Sequence, residues 1–247
     1  MNSIDFSRLK WRQSDFHMRR AVVEKISDQE LLAEIARNDT DYHVREAAVR
    51  KLGDQEYLVE IARNDSDYHV RRAAVEEISD TALLAELAKN DSDSGVREAA
   101  VRKLGDQEYL VEIAWNDSDY HVRRAAVEEI SDTALLAELA KNDSDYHVRR
   151  AAVRKLEDQA LLEDIARNDT DSWVRRAAAE RVTDQALLAG IALNDEDSWV
   201  REVAIKKLSD QKLLSEVARK SSDIHIRRTA VEKLGKALSP SNRLINM

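Results

Sequence analysis

The chain has 247 residues, among them no cysteine, one proline and five glycines. Without cysteine it can form no disulfide framework and offers no thiolate chemistry, which is typical of a reducing compartment. Any metal would have to be bound by His, Asp or Glu. Proline and glycine are the residues that punctuate turns and strands, so their scarcity, beside 35% charged residues, predicts a helix-rich protein.

Long apolar runs are missing as well. No stretch approaches the roughly 18 apolar residues of a membrane-spanning helix, and the first residues, MNSIDFSRLKWRQ, contain no apolar segment of the signal-peptide kind. We therefore expect a cytoplasmic protein with no membrane partner. A net charge of -9 argues against broad electrostatic attraction to nucleic acid. A chain with this net charge can still carry a local basic stripe.

What the sequence contains instead is a repeat. The nine residues NDSDYHVRR begin at Asn64, Asn116 and Asn142, and the near copy NDTDYHVRE begins at Asn38. The copies are separated by 26 residues or a multiple of 26, and self-similarity at such a period indicates a solenoid of stacked units. If residues 28–53 are the first repeat, seven more begin at Asp54, Asp80, Asp106, Asp132, Asp158, Asp184 and Asp210.

Each repeat predicts two short helices. An apolar stripe in residues 31–36 predicts a first helix, named helix A, and after the interruption NDTD a second stripe in residues 44–52 predicts helix B. Neither short helix could bury its stripe alone. Asp41 stands just before helix B, where its carboxylate can accept the free N–H groups of the first turn, so we predict that it is the N-cap.

An arginine occupies the apolar side of helix B in every repeat. Arg45 projects among the apolar positions, and a buried arginine needs an acidic or carbonyl partner. The cap aspartate of a neighbouring repeat is the natural candidate, which predicts an Asp/Arg ladder along the stack. Its members are Asp41, Arg45, Asp67, Arg71, Asp93, Arg97, Asp119, Arg123, Asp145, Arg149, Asp171, Arg175, Asp197 and Arg201.

The segment NDSDYHVRRAAVEEI resembles the D-x-D-x-x-V-R-x-x-A helix of HEAT-like repeats of the phycobilisome-lyase type. Asp67, Val70, Arg71 and Ala74 carry the match, and equivalent positions extend it from Asp15 to Leu234. The resemblance implies a right-handed α-solenoid, used mostly for binding, with a minority of enzymes. The repeat is shorter than is usual in that family and lacks proline before the Val-Arg pair, and leucine-rich variant repeats are similar in length.

We therefore predict an all-α, right-handed α-solenoid of about eight 26-residue helix-turn-helix repeats with terminal caps. Residues 1–27 would form an N-terminal cap, in which a helix carrying Phe6, Leu9 and Trp11 precedes a lone helix B. Residues 28–235 would form the eight repeats, and residues 236–247 a C-terminal cap. Terminal units of such an array must differ because one of their faces meets water.

Charges on helix B follow a rule with one exception. Residues four apart have opposite sign, as Glu46 and Arg50 do, and each such surface pair contributes only roughly a few tenths of a kcal/mol. Most of the charge is therefore interpreted as solvated scaffold. Arg150 and Arg154 are like charges at the same spacing. Exceptions to a local rule often mark functional positions.

The first turn of helix B is the variable row of the array. Residues 54–105 and 106–157 differ at five positions, Arg63/Trp115, Ser94/Tyr146, Gly95/His147, Glu98/Arg150 and Gly105/Glu157. Free drift of exposed residues would explain this, but other exposed positions are unchanged. Changes concentrated on one face favour a constant framework with an altered binding row, and the HEAT-like resemblance implies that helices B line the concave side.

The predicted partner-binding residues lie on this row and the turn after it. Exposed Tyr, Trp and Arg are enriched at protein–protein hot spots, although some of these rings could simply cover the groove between repeats. The set is Tyr120, His121, Arg124, Tyr146, His147, Arg150, Arg154, Trp173, Arg176 and Trp199. An elongated, acid-lined or mixed partner would face Arg124, Arg150, Arg154 and Arg176.

No cofactor, metal or catalytic residue is predicted. All six histidines share one position of helix B, but a zinc site needs three or four convergent ligands. The chain has no Gly-rich phosphate loop, no cysteine nucleophile and no His-Glu-x-x-His helix, and paired aspartates recur in nearly every repeat, as a structural role predicts.

The sequence therefore favours a noncatalytic protein- or peptide-binding scaffold that acts as a monomer. Three alternatives stay open. The first is a HEAT-like enzyme of the bilin-lyase or DNA-glycosylase type, which rests on family analogy alone. The second is a nucleic-acid binder, which would need a net basic face. The third is an engineered consensus scaffold, since near-identical repeats arise both by design and by recent duplication.

Overall fold

A computed structural model describes residues 10–237, and within them it contains seventeen α-helices and no strand. The expected divergent helix with Phe6 and Leu9 lies outside the described residues, as does most of the predicted C-terminal cap. The contacts between helices divide the chain into two compact units, unit 1 (Met1–Ile130) and unit 2 (Ser131–Met247). Each unit is an all-α stack of helical repeats.

Within the described residues, unit 1 starts with a short 3-10 helix at Lys10–Gln13, which is followed by a lone helix B and four A/B pairs in order. The lone helix is α1 (Phe16–Val23), and the pairs are α2 (Gln29–Asn38) with α3 (Tyr42–Val49), α4 (Gln55–Asn64) with α5 (Tyr68–Glu77), α6 (Thr81–Asn90) with α7 (Ser94–Lys103), and α8 (Gln107–Asn116) with α9 (Tyr120–Glu129).

Unit 2 contains four further A/B pairs in the same order. They are α10 (Thr133–Asn142) with α11 (Tyr146–Val153), α12 (Gln159–Asn168) with α13 (Ser172–Ala179), α14 (Gln185–Asn194) with α15 (Ser198–Lys207), and α16 (Gln211–Lys220) with α17 (Ile224–Ala237). The predicted division of a repeat into helices A and B is therefore confirmed.

Aspartate sets the start of both helices in a repeat. The carboxylate of Asp28 accepts the backbone N–H of Glu30 at 3.0 Å at the start of α2. Asp41 accepts the N–H of His43 at 2.9 Å at the start of α3, so the predicted N-cap is confirmed. Each of these bonds satisfies one of the N–H groups that a helix leaves free at its first turn.

The core of each unit is built from the same positions in every repeat. Each helix A packs on its own helix B, and each helix B packs on the next helix B within its unit. One leucine of helix A and one alanine of helix B are at most 2% exposed, as is one valine of helix B, which is isoleucine in the last repeat. Examples are Leu32, Val44 and Ala48 in unit 1, and Leu162, Val174 and Ala178 in unit 2.

Side chains also hold the turn between one repeat and the next. The amide of Gln29 donates to the carbonyl of Lys51 at 3.1 Å and accepts the N–H of Gly53 at 2.8 Å, so it closes the end of its own A/B pair. Lys51 donates to the carbonyls of Val23 and Glu24, the C-terminal end of the preceding helix B. A cation at this end is favourable because the last carbonyls of a helix carry partial negative charge.

Candidate functional site

The predicted ladder arginine has every guanidinium nitrogen engaged. In the first repeat, Nε and Nη2 of Arg45 donate to the two carboxylate oxygens of Asp65, both at 2.8 Å, and Nη1 donates to the carbonyl of Asp39 at 3.0 Å. Asp65 belongs to the next repeat, so one side chain joins two successive turns. The hydrogen bonds with Asp65 raise the pKa of Arg45 above its ordinary value.

The carboxylate in this ladder differs from the one expected. The cap aspartate, Asp67, was predicted to pair with Arg45, but its Oδ1 accepts the N–H of His69 at 2.9 Å in its own helix. Asp65 stands two residues earlier, where its Oδ1 also accepts the N–H of Asp67 at 2.8 Å. Because the cap carboxylate is used by its own helix, the arginine pairs with the preceding aspartate.

The same geometry recurs in both units, with N–O distances of 2.7–2.9 Å. The rungs in unit 1 are Arg19–Asp39, Arg45–Asp65, Arg71–Asp91 and Arg97–Asp117, and those in unit 2 include Arg149–Asp169 and Arg175–Asp195. Arg123 in α9 is buried, and its Nη1 donates to the carbonyl of Asp117 at 3.0 Å. The cap aspartates Asp93, Asp119, Asp145 and Asp171 each accept N–H groups of their own helices.

The last rung of unit 2 keeps the predicted pairing. Ser221 replaces the loop aspartate there, and Nη2 of Arg201 donates to Oδ2 of the cap residue Asp223 at 2.8 Å. This hydrogen bond lowers the pKa of Asp223. Asp197, at the start of the preceding helix B, caps α15 through the N–H groups of Trp199 and Val200.

Paired rings occupy the first turn of helix B in the N-terminal part of unit 1. Phe16 stacks on His43 with ring centroids 5.7 Å apart, and Tyr42 stacks on His69 at 5.0 Å. Within α3, Tyr42 and His43 lie 3.9 Å apart. Each of these rings therefore covers a neighbouring ring. These contacts between repeats agree with the alternative that some of the rings cover the groove between repeats.

Unit 2 carries a different arrangement in its two middle repeats. Ser172 and Ser198 replace the first ring, and Trp173 and Trp199 follow them, 48% and 59% exposed. The caps fix these tryptophans at the second helical position, where the N–H of Trp173 donates to Asp171 at 2.8 Å. Both indoles are therefore open to solvent.

Trp173 lies between two arginines, and Trp199 lies beside one of them. The Cζ atom of Arg150 lies 5.8 Å from the ring centroid of Trp173, and that of Arg176 lies 5.6 Å from Trp173 and 5.9 Å from Trp199. Distances of this size allow a cation–π attraction that restrains both partners. Together with Arg154, these residues are called the cationic-aromatic strip: Arg150, Arg154, Trp173, Arg176 and Trp199.

The strip contains unpaired positive charge. Within residues 10–237, neither Arg150 nor Arg154 forms an ion pair with a carboxylate. The repeat pattern would pair Arg154 with the carboxylate of Glu180, but this carboxylate lies 3.3 Å from Nε of Arg176 instead. Of the three arginines in the strip, only Arg176 therefore has a carboxylate partner among the described residues, which makes the strip a local basic stripe in a chain of net charge -9.

The remaining predicted partner-binding residues lie in two helices. Tyr120, His121 and Arg124 belong to α9 of unit 1, where Arg124 lies 3.5 Å from Glu128 and 3.8 Å from Glu98. Tyr146 and His147 begin α11 of unit 2 with ring centroids 3.9 Å apart. Nδ1 of His147 lies 3.1 Å from Oδ1 of Asp145, so the ring leans on the cap of its own helix.

A cleft of about 560 Å³ lies between α15 and α17 of unit 2. Its walls include Trp199, Ile226 and Thr229. Ile224, on the first turn of α17, is 65% exposed. The cleft also has charged rims, but these are paired: Arg228 with Glu232 at 2.8 Å, Glu202 with Lys206 at 2.5 Å, and Asp223 with Arg201 at 2.8 Å. The cleft was not predicted from the sequence.

Two further properties hold for the part of the chain that the structure describes. No group of three or more His, Asp or Glu side chains there is placed to hold a metal ion. None of the described helices is long and apolar enough to cross a membrane.

The sequence was compared with models of known protein families and with curated proteins. The family model for HEAT repeats matches residues 29–105 and 56–131. The search among curated proteins returned no match.

Solved structures agree on the architecture. A leucine-rich repeat variant, described as having a novel repetitive structural motif, is 25% identical, covers 95% of this chain and 100% of its own, and has a TM-score of 0.72. The Escherichia coli protein YibA is 22% identical, with coverages of 90% and 97% and a TM-score of 0.52. The helix pairs and these neighbours together show an all-α solenoid of helical repeats, in which residues 29–131 are similar to HEAT repeats.

Proposed function

We propose that the chain is a noncatalytic protein- or peptide-binding scaffold and that unit 2 binds its partner through the cationic-aromatic strip. The observation that carries this proposal is the exposure of Trp173 between Arg150 and Arg176 and of Trp199 beside Arg176. Exposed tryptophan and arginine are the residues most enriched among interface hot spots.

Preorganisation supports the same function. The backbone of each tryptophan is fixed by a cap, Asp171 or Asp197, and each indole is restrained by arginine. A partner would therefore meet side chains that lose little further rotamer freedom on binding, and this reduces the entropic cost of association. A rigid row of this kind fits a scaffold because solenoids present extended surfaces to their ligands.

A catalytic role finds less support among the carboxylates. The aspartates that recur in pairs serve the caps and the ladder, with hydrogen bonds that already occupy their oxygens, as Asp65 and Asp67 illustrate. A general acid or base must be able to reach a substrate proton, and these groups are held by the framework. The enzyme alternatives of bilin-lyase or DNA-glycosylase type therefore remain analogies.

Nucleic acid is the competing ligand class, because exposed indoles and guanidinium groups also stack on bases. Against it, tight binding draws on many phosphate contacts, and the strip offers three arginines in a chain of net charge -9. A homopolymeric single-stranded oligonucleotide should accordingly bind weakly or not at all.

The test is a capture from lysate of the source cells on the wild-type chain and on the Arg150→Ala/Trp173→Ala variant. Partners are identified by mass spectrometry, purified, and titrated by calorimetry. The control, Arg72→Ala/Trp115→Ala in unit 1, removes the equivalent arginine of α5 and an exposed tryptophan outside the strip. We expect binding to the wild type and the control, and none to the strip variant at unchanged helicity. A partner that binds all three equally would refute the proposal.

A further inference from the structure

The two ends of the strip differ in chemistry. At one end, Arg150 and Arg154 lie four residues apart, so that they share a face at the end of α11, and neither has an acidic partner within the described residues. A guanidinium presents a planar fork of donors that matches a carboxylate bidentately. This end is therefore suited to acidic side chains.

The other end combines exposed apolar side chains with a cleft of mixed lining, whose charged residues are paired. Trp199 and Ile224 are 59% and 65% exposed, and between their helices lies the cleft of about 560 Å³. Its charged wall residues already pair with each other or with nearby side chains. A volume of this size is more than sufficient for one or two apolar side chains, because even pockets that hold whole small ligands start at about 300 Å³.

We propose that unit 2 binds an extended peptide segment in a fixed direction, with acidic residues at Arg150 and Arg154 and an apolar or aromatic side chain in the cleft between α15 and α17. This inference rests on the proposed function and adds the class and polarity of the partner. Charge complementarity selects the acidic end. Because the strip is one row of side chains on successive helices, a linear segment matches its shape.

The helix packing sets the separation of the two anchors. Helices α11, α13, α15 and α17 pack in this order within unit 2. Two and a half helix spacings of about 8–10 Å give about 20–25 Å between the arginine pair and the cleft. An extended chain rises about 3.3 Å per residue, so about six to eight residues separate the acidic and apolar anchors. Between them the segment passes Trp173 and Arg176.

The test begins with selection of random 16-residue displayed peptides on the full chain. Enriched peptides should carry one or two acids and an apolar residue about six to eight positions apart. One such peptide is then labelled and titrated by fluorescence polarisation, together with forms in which the spacer is shortened or lengthened by three residues. We expect each change of spacer to weaken binding at least tenfold, since only one anchor can then engage.

Variants of the chain assign each anchor. Arg150→Glu gives α11 and its following residue the same sequence as residues 42–50, YHVREAAVR, so this variant uses a helix that already exists in the chain. Replacement of the peptide acids by amides should lower the affinity for the wild type about tenfold. The affinity for Arg150→Glu should hardly change, because this variant has already lost the pairing between the arginine and the peptide acids. Replacement of the apolar anchor of the peptide by Ala should weaken binding to the wild type about tenfold and change binding to Trp199→Ser very little.

Two results would overturn the inference. Peptides that bind without these couplings, or at any spacer length, would leave a binding scaffold with a different partner class. A selection that enriches no peptide would also exclude a linear segment. The proposed function would survive both results if a captured folded protein still loses binding on Arg150→Ala/Trp173→Ala.

Discussion

Residues 42–50 and 146–154 differ at one position, where Glu46 in unit 1 becomes Arg150 in unit 2. In unit 1, Arg50 donates to Glu46 at 2.9 Å and to Glu76 at 2.8 Å, which neutralises the outer charges of α3. In unit 2, the two arginines have no acidic partner in the described chain, and Arg150 lies near the ring of Trp173. The substitution removes one of the two acids that pair with the arginine at the end of helix B, and the other, Glu180, pairs with Arg176 instead.

The framework beneath this difference is the same. Arg45 contacts Asp65 and the carbonyl of Asp39 at 2.8, 2.8 and 3.0 Å. Arg149 contacts Asp169 and the carbonyl of Asp143 at 2.9, 2.9 and 3.0 Å. Cap, ladder and core therefore specify the repeat, and the outer face can vary without disturbing them.

Loss of a ladder carboxylate should have the largest effect, and it should be equal in both units. Asp65→Ala and Asp169→Ala each leave a nearly buried arginine without its partner, and we expect each to lower the free energy of unfolding by about 3 kcal/mol. Denaturant unfolding followed by circular dichroism measures the loss. The control is Glu60→Ala, which removes an exposed partner of Arg37. A loss below 1 kcal/mol, or one confined to a single unit, would contradict a shared framework.

Trp173 should matter for binding and Trp115 should not. Trp115 lies on helix A of unit 1 and is 40% exposed, so Trp115→Ala changes a comparable indole outside the strip. We expect Trp173→Ala to weaken partner affinity about 30-fold, equivalent to about 2 kcal/mol at a hot spot. Calorimetric titration with the purified partner measures both. Equal effects of the two changes would remove the distinction between the strip and the rest of the surface.

The last rung of unit 2 should respond to acid. The hydrogen bond from Arg201 lowers the pKa of Asp223, so its contribution to stability is present above the unfolded-state pKa of about 4 and is lost as the pH falls through the lowered folded-state pKa. Asp223→Asn should therefore flatten the decline in unfolding free energy on the acid side. A decline as steep as that of the wild type would show that this rung contributes nothing.

Arg150→Glu should have the smallest effect on stability and the opposite sign. It replaces two like charges by a Glu–Arg pair of the kind that Glu46 and Arg50 form, so we expect the free energy of unfolding to rise by about 0.5 kcal/mol. Replicate denaturant midpoints resolve a change of this size. A drop of more than 0.5 kcal/mol would mean that Arg150 has a structural role.

Much of the fold could be predicted because it follows from local periodicity. The 26-residue spacing, the alternating apolar stripes and the capping role of Asp41 all depend on residues close in sequence. The choice between Asp65 and Asp67 as partner of Arg45 could not be predicted. Both are acids two residues apart, and only the backbone at the cap decides which one faces the arginine.

The sequence predicts which residues belong to the candidate site, but not how they are arranged. The exception formed by Arg150 and Arg154 and the exposed Trp173 are visible in the sequence. The alternation of arginine and indole, by contrast, depends on the packing of α11 on α13. The cleft beside Trp199 depends on how α15 and α17 pack, which the repeat pattern does not show.

The most direct measurement is the affinity of the partner for Arg150→Glu and for Arg72→Glu, which makes the same charge reversal at the equivalent position of α5. We predict that Arg150→Glu loses at least tenfold in affinity while its free energy of unfolding does not fall, and that Arg72→Glu binds like the wild type. Equal binding by both variants, or equal loss by both, would contradict a partner site on the strip of unit 2.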